Sequence, residues 1–211
     1  MRSRPAHRGL PGLLCITAVA VVAGCRTVPV QQPSAIPPSQ AWDVTRSQLQ
    51  AKDHFGLKGR VAVAAGKEGF SAGLRWTQDG TRSRVSLEGP LGVGAVQITA
   101  DGDNLSIVNS HGDHLDSDAA RADLSARLGF DPPLGSMRYW ILGVPDPGMP
   151  AKESVDPQQQ RLQSLQQDGW QIDYASYMSG SNGGGPPWVP AKMTVQREGV
   201  RVRLIVDGWS S

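Results

Sequence analysis

The sequence predicts a mainly β protein with helices (α+β), built on a strongly curved antiparallel sheet. Three observations predict it. From Phe55 onward, apolar residues recur with period two in short runs. Turn dipeptides such as Asp79-Gly80, Asp101-Gly102, Asp168-Gly169 and Glu198-Gly199 separate the runs. Only the stretches 41–54, 118–128 and 134–142 carry helical spacing or helix stop signals instead.

The chain has 211 residues and opens on an address. Arg2, Arg4 and Arg8 precede an uncharged stretch over 9–24 that is mostly apolar from Leu10 to Ala23. That run is shorter than the roughly 20 apolar residues of a membrane-spanning helix. It has the form of a secretory signal. Val22-Ala23-Gly24-Cys25 resembles a bacterial lipobox, which implies cleavage before Cys25 and lipidation of its thiol and its new N-terminus. Cys15 leaves with the signal, so the mature chain has one cysteine and no intramolecular disulfide. A thioether-linked lipid also removes a thiol that an oxidising compartment would attack. Arg26 stands where many Gram-negative sorting signals place the Asp of inner-membrane retention, so the resemblance implies an outer-membrane destination with the chain facing the periplasm. Pro29, Pro33, Pro37 and Pro38 make residues 25–40 a lipidated cysteine followed by an extended tether, reaching about 45 Å. The folded domain is then 41–211.

Within that domain, 41–54 reads as a helix, with Trp42 and Leu49 one heptad apart. Alternation follows. Phe55, Leu57, Val61 and Val63 share one parity, as do Phe70, Leu74 and Trp76, then Val85 and Leu87, then Val96 and Ile98, then Leu105 and Ile107. Asp118 is the expected cap of a helix carrying Leu124 and Leu128 and ended by Gly129. Pro133 suits the first turn of a helix over 134–142, with Gly143 and Pro145 as stops. Strands resume at 161–167 and 170–174 around Asp168-Gly169, and at 193–196 and 200–206 around Glu198-Gly199. Residues 179–187 read as a mobile glycine-rich loop. Helices inserted in such a meander can cover the mouth of a barrel.

Charge and motifs exclude several classes. Without 1–24 the chain has 18 basic and 19 acidic groups, so no basic surface for nucleic acid is implied. No G-x-S-x-G, Walker A, H-E-x-x-H, C-x-x-C or G-x-G-x-x-G pattern is present. His111 and His114, with Asp116 and Asp118 following, lack a third ligand at zinc spacing and read as a polar hairpin. Asp101 and Asp103 sit in turn sequence, and Asn104-Leu105-Ser106 has no glycosylation role in a bacterial lipoprotein. The expectation is no catalytic residue, no metal and no cofactor. Six tryptophans (Trp42, Trp76, Trp140, Trp170, Trp188 and Trp209) read mostly as core. Gly89-Pro90-Leu91-Gly92 reads as a turn with Leu91 at its tip.

Several segments together carry a family likeness. They are Leu57-Lys58-Gly59-Arg60-Val61-Ala62-Val63, Phe70-Ser71-Ala72-Gly73-Leu74-Arg75-Trp76 and Gly89-Pro90-Leu91-Gly92. They continue with Pro133-Leu134-Gly135-Ser136-Met137-Arg138-Tyr139-Trp140-Ile141-Leu142-Gly143-Val144-Pro145, Gln167-Asp168-Gly169-Trp170 and Arg203-Leu204-Ile205-Val206-Asp207-Gly208-Trp209. In this order they resemble the LolB family of outer-membrane lipoprotein receptors, over most of 41–209. Departures are Met137, where Leu is usual, and a long glycine-rich loop at 180–185.

The resemblance implies an incomplete antiparallel β-barrel with a helical lid over a hydrophobic cavity. It implies a monomeric, non-enzymatic receptor that accepts lipidated cargo from the soluble carrier LolA and places it in the inner leaflet of the outer membrane. Leu91 then matches a protruding leucine used in membrane insertion. Phe70, Leu74, Trp76, Val85, Leu87, Val96, Ile98, Leu105, Ile107, Leu204 and Val206 are expected to form the inner apolar face, closed by Met137, Ile141 and Leu142. Period two assigns faces without saying which one is concave. Two other readings stand beside this one: a packed scaffold lipoprotein without acyl cargo, and an enzyme acting on lipid or envelope polymer. A hydrophobic probe separates the first, and a polar pair in the cavity would mark the second.

Overall fold

The computed structural model describes residues 38–90, 94–180 and 188–210. Among these the order is α1 (Pro38–Gln50), β1 (His54–Ala65), β2 (Glu68–Asp79), β3 (Arg82–Glu88), β4 (Val96–Asp101), β5 (Asn104–Asn109) and β6 (His114–Asp116). Then come α2 (Ser117–Leu128), α3 (Leu134–Trp140), β7 (Ala151–Asp156), β8 (Arg161–Gln167), β9 (Trp170–Ser179), β10 (Trp188–Arg197) and β11 (Val200–Ser210).

The first helix starts three residues before the expected Ala41 and ends four before His54. Its last turn closes through Ala51 N–H to Ser47 O and Lys52 N–H to Leu49 O, and His54 already belongs to β1. Trp42 and Leu49 are buried as their spacing requires. The Trp42 indole donates to Glu153 Oε2 at 2.8 Å and Arg46 donates to Glu153 Oε1 at 2.9 Å. Both hold α1 over the edge strand β7.

Helix α2 starts differently from the expectation. Its N-cap is Asp116, which makes no side-chain capping bond, and Asp118 lies inside the first turn. There its carboxylate still faces the partial positive charge of the helix start. Gly129 ends the helix as expected, left-handed at φ 76° with its N–H on Ser125 O. Strands β6 and β7 had no alternation to announce them. Segment 151–156 has apolar residues only at Ala151 and Val155, because an edge strand has little to bury. The His111–Asp118 segment forms the β5–β6 hairpin and the start of α2, with His114 Nε2 at 2.8 Å from Asp116 Oδ2 on the exposed side.

All ten strand pairings are antiparallel. The order is β6-β5-β4-β3-β2-β1-β11-β10-β9-β8-β7. Two meanders therefore meet where β1 pairs with β11, and the sheet stays open at β6 and β7. The chain between those two edges is α2 and α3. Joining opposite edges of a curved sheet obliges this connection to cross its face. The Asp168-Gly169 turn has positive φ at both residues (51° and 72°), as a two-residue hairpin of primed type requires.

Register aligns the inward side chains in rows. One row runs Ile172, Val195, Val202, Val63, Phe70 across five strands. Another runs Leu57, Trp76, Val85, Ile98, Ile107. Four tryptophans (Trp42, Trp76, Trp140 and Trp170) are buried. Trp188 stacks edge-on against Tyr177 at 5.3 Å, and Trp209 tilts against Phe55 at 5.7 Å.

The inserted residue Asp207 makes a bulge opposite Lys58 and Gly59. A β-carbon on Gly59 would fall inside contact of the Ile205 carbonyl oxygen and 3.1 Å from Val206 Cα. Gly59→Ala is therefore expected to cost about 2 kcal/mol of stability. The check is a lowered urea midpoint at unchanged slope; a midpoint equal to that of the parent would show that the bulge tolerates a side chain.

Candidate functional site

Beneath the crossing helices lies a cavity walled by twenty side chains, all apolar. From the sheet, Val61, Val63, Phe70, Leu74 and Trp76 come from β1 and β2, and Val85, Leu87 and Ile98 from β3 and β4. Met193, Val195, Val202 and Leu204 come from β10 and β11. The roof is Leu124 and Leu128 of α2, Phe130 and Pro132 of the connection, Leu134, Met137 and Trp140 of α3, and Ile141 just beyond it.

Nine of the expected residues thus meet around one space: Phe70, Leu74, Trp76, Val85, Leu87, Ile98, Met137, Ile141 and Leu204. Five do not reach it. Ile107, Leu142 and Val206 are consumed by the packed core, and Val96 lies half-buried against that core. Leu105 borders a separate polar cleft. Period two placed Ile107 and Val206 on the correct face but says nothing of where along a strand the face is covered. Val61, Val63 and Val202 carry the same parity and were omitted from the expected wall. Met193 and Val195 stand opposite Leu204 and Val202, which only the strand register reveals. Leu91 and most of the glycine-rich loop lie outside the described residues. The flanking Gly89 and Pro90 follow β3, at the same sheet end as Phe70.

Two indoles reach the wall, and both turn their N–H away from it. Trp76 Nε1 donates to Gln78 Oε1 at 3.2 Å, and Trp140 Nε1 donates to Gln167 Oε1 at 2.8 Å. The cavity therefore presents apolar surface only. It has no group to polarise a bond, carry a proton or hold an ion, and an apolar guest is the only guest it suits. The displaced ionisations lie elsewhere. The Asp53 carboxylate beside His54 holds that exposed imidazole above its ordinary pKa. Burial pushes the phenols of Tyr174 and Tyr177 up, so both donate, to Trp140 O and Leu162 O.

The free volume is about 80 Å³. An engineered apolar cavity of about 150 Å³ admits one benzene ring. The space here is about half that, far short of a single fatty chain. The space between sheet and roof is nearly filled in this structure. Phe70, 37% exposed, marks where the apolar interior reaches the surface.

The family model described as "Outer membrane lipoprotein LolB" matches residues 53–209. Outer-membrane lipoprotein LolB of Nitrosococcus oceani is 33% identical over 197 residues, covering 93% of this chain and 95% of the relative. The protein of the same name from Stutzerimonas stutzeri is 28% identical over 201 residues, 95% of each. A solved domain from Vibrio parahaemolyticus, titled as an outer membrane lipoprotein-sorting protein domain, superposes with a TM-score of 0.50 at 10% identity, over 82% of this chain and 90% of its own. That superposition speaks to the fold alone. On the family match and the relatives together, the chain belongs to the LolB family of outer-membrane lipoproteins, a non-enzymatic family of lipoprotein localisation.

Proposed function

We propose that this protein is an outer-membrane receptor, anchored through lipidated Cys25, that accepts lipoproteins from the periplasmic carrier LolA and delivers them to the inner leaflet. It does so by housing their acyl chains between the sheet and the α2–α3 roof. The observation that carries the reading is the wholly apolar wall under helices that bridge two unpaired sheet edges.

The energetics need no catalyst. Three acyl chains hold on the order of 40 methylenes, and at about 0.8 kcal/mol each their exposure costs roughly 30 kcal/mol. Free passage through water is excluded, whereas transfer between two apolar cavities is nearly balanced. The closed volume requires the roof to move. Leu124, Leu128, Phe130 and Met137 give up contacts with the sheet as chains take their place. Apolar surface exchanges one apolar partner for another, so opening in the presence of cargo costs far less than opening in water.

The small cavity also favours a second reading, a packed lipoprotein scaffold without cargo. A transfer assay separates the two. Carrier loaded with a lipoprotein is mixed with this protein, and the cargo is followed by pull-down. Cargo moves to a receptor and stays on the carrier beside a scaffold.

In the same assay Leu91→Glu is expected to keep uptake and lose release into membranes. One apolar side chain is worth about 1.5–3 kcal/mol when buried, and a charge in its place opposes entry into the bilayer. Wild-type delivery by this variant would remove the loop from the mechanism.

A further inference from the structure

Leu124, Pro132 and Leu134 face the apolar cavity on one side and a polar cleft on the other. The cleft lies among the β2–β3 turn, the β4–β5 turn and the start of α3, with a volume of about 620 Å³. One layer of side chains from α2, α3 and their connection thus separates an apolar space from a polar one. The two open at opposite ends of the sheet. Phe70 lies near the Gly66 and Gly199 turns, whereas the cleft lies at Thr81 and Gly102.

The cleft has spare hydrogen-bond donors. Arg138 is half-buried and reaches the Gly80 carbonyl at 3.3 Å and the Tyr139 hydroxyl at 2.8 Å. Arg121 reaches the Asp103 carbonyl at 3.3 Å. Arginine ion pairs among the described residues involve Arg46, Arg60, Arg75, Arg82 and Arg127, and neither cleft guanidinium is in one. The carboxylates there are exposed or already engaged: Asp131 accepts from Ser125, and Asp146 accepts from Ser136 and the Gly148 N–H. A guanidinium has five N–H donors, so most of their capacity is unspent. Guanidinium donors of this kind pair with oxygen acceptors, and the adjoining cavity suits apolar chains.

We propose that this cleft holds the head of the acylated ligand, the ester and amide carbonyls around a lipid-modified cysteine, while the chains fill the cavity beside it. The chains then point to the Phe70 end and the attached peptide leaves from the opposite end, so cargo reaches the bilayer tails first. This rests on the acyl-binding reading above.

The test uses the full chain carrying Cys25→Ala, so that no lipid of its own competes. Two ligands are titrated: a tripalmitoylated cysteinyl peptide, and N-phenylnaphthylamine, an apolar dye without oxygen acceptors. In the Arg121→Ala/Arg138→Ala double variant the lipopeptide is expected to bind about tenfold more weakly or worse, with dye affinity within twofold. Arg138→Lys, which keeps a donor, recovers part of the loss. Unchanged lipopeptide binding overturns the inference. So does an equal loss for both ligands, which assigns the arginines to holding α3 in place. Dipalmitoyl phosphatidylglycerol is a third ligand. An equal loss for it and the lipopeptide identifies the shared glyceryl ester as the recognised head, and a loss confined to the phospholipid overturns the assignment to lipoprotein. A wild-type chain that binds no lipopeptide overturns the acyl reading itself, and the inference with it.

Discussion

A disulfide between Ala65→Cys and Gly129→Cys is expected to abolish acyl-chain uptake, and reduction to restore it. A β-carbon on Gly129 would lie 2.9 Å from Ala65 Cβ. Bridged cysteines have β-carbons about 3.5–4.5 Å apart, so the end of α2 needs to retreat by less than one residue radius to accept the bond. The left-handed Gly129 adds a cost of about 1 kcal/mol for any side chain there. Both costs are small beside the consequence. The bond pins the C-terminus of α2, with Leu128 and Phe130 on either side, to the end of β1. The cavity then stays near its closed volume of about 80 Å³, which admits no palmitoyl chain. Binding of the lipopeptide is expected to fall at least about a hundredfold, the loss of some 2.7 kcal/mol or more. The reduced double variant controls for the substitutions themselves. Normal binding by the oxidised form would place the acyl site outside this cavity.

The second large effect concerns stability. Gln167 is buried, at 3% exposure, and its amide is fully used. Its Oε1 accepts from the Trp140 indole at 2.8 Å and from the Asp146 N–H at 2.9 Å. Its Nε2 donates to the Asp146 and Met149 carbonyls, both at 2.9 Å. One side chain on β8 therefore fixes the end of α3 and the turn leading to β7. Gln167→Leu strands two donors and two acceptors. At about 1–3 kcal/mol for each group left unpaired, the loss is about 4 kcal/mol or more. For a domain of this size that corresponds to a Tm lower by about 10 °C. Exposed Gln163→Leu on the same strand makes the same chemical change with an effect below about 0.5 kcal/mol. A Gln167→Leu melt within about 2 °C of the parent, a loss below about 1 kcal/mol, would show that water replaces the amide.

Much of this architecture is legible in the amino-acid sequence. Alternation carries strands wherever one face is buried, which is why β1 to β5 and β8 to β11 were all found. It fails at β7, an edge strand with nothing to alternate. It also failed to separate the cavity wall from solid core: Leu204 and Val206 have the same parity, yet one borders free space and the other is packed. That difference arises from where α2 and α3 land, a long-range fact with no local signature. Gln167 shows the same limit. In sequence it is one of several glutamines near a hairpin turn, and only the returning chain at 140–149 makes it a clamp. Gly59 carries a weak local signal, since a glycine inside a strand often marks a bulge, but alternation alone does not assign one there. The family likeness supplied the lid and cavity, but not how nearly shut the cavity is.

This interior, nearly filled when no chain occupies it, must open to take fatty chains. Native mass spectrometry of the Cys25→Ala chain with the tripalmitoylated cysteinyl peptide tests it directly. A one-to-one complex is expected, and it disappears when the Ala65→Cys/Gly129→Cys bond is closed. A chain that remains ligand-free at saturating lipopeptide, with its roof unlocked, would contradict it.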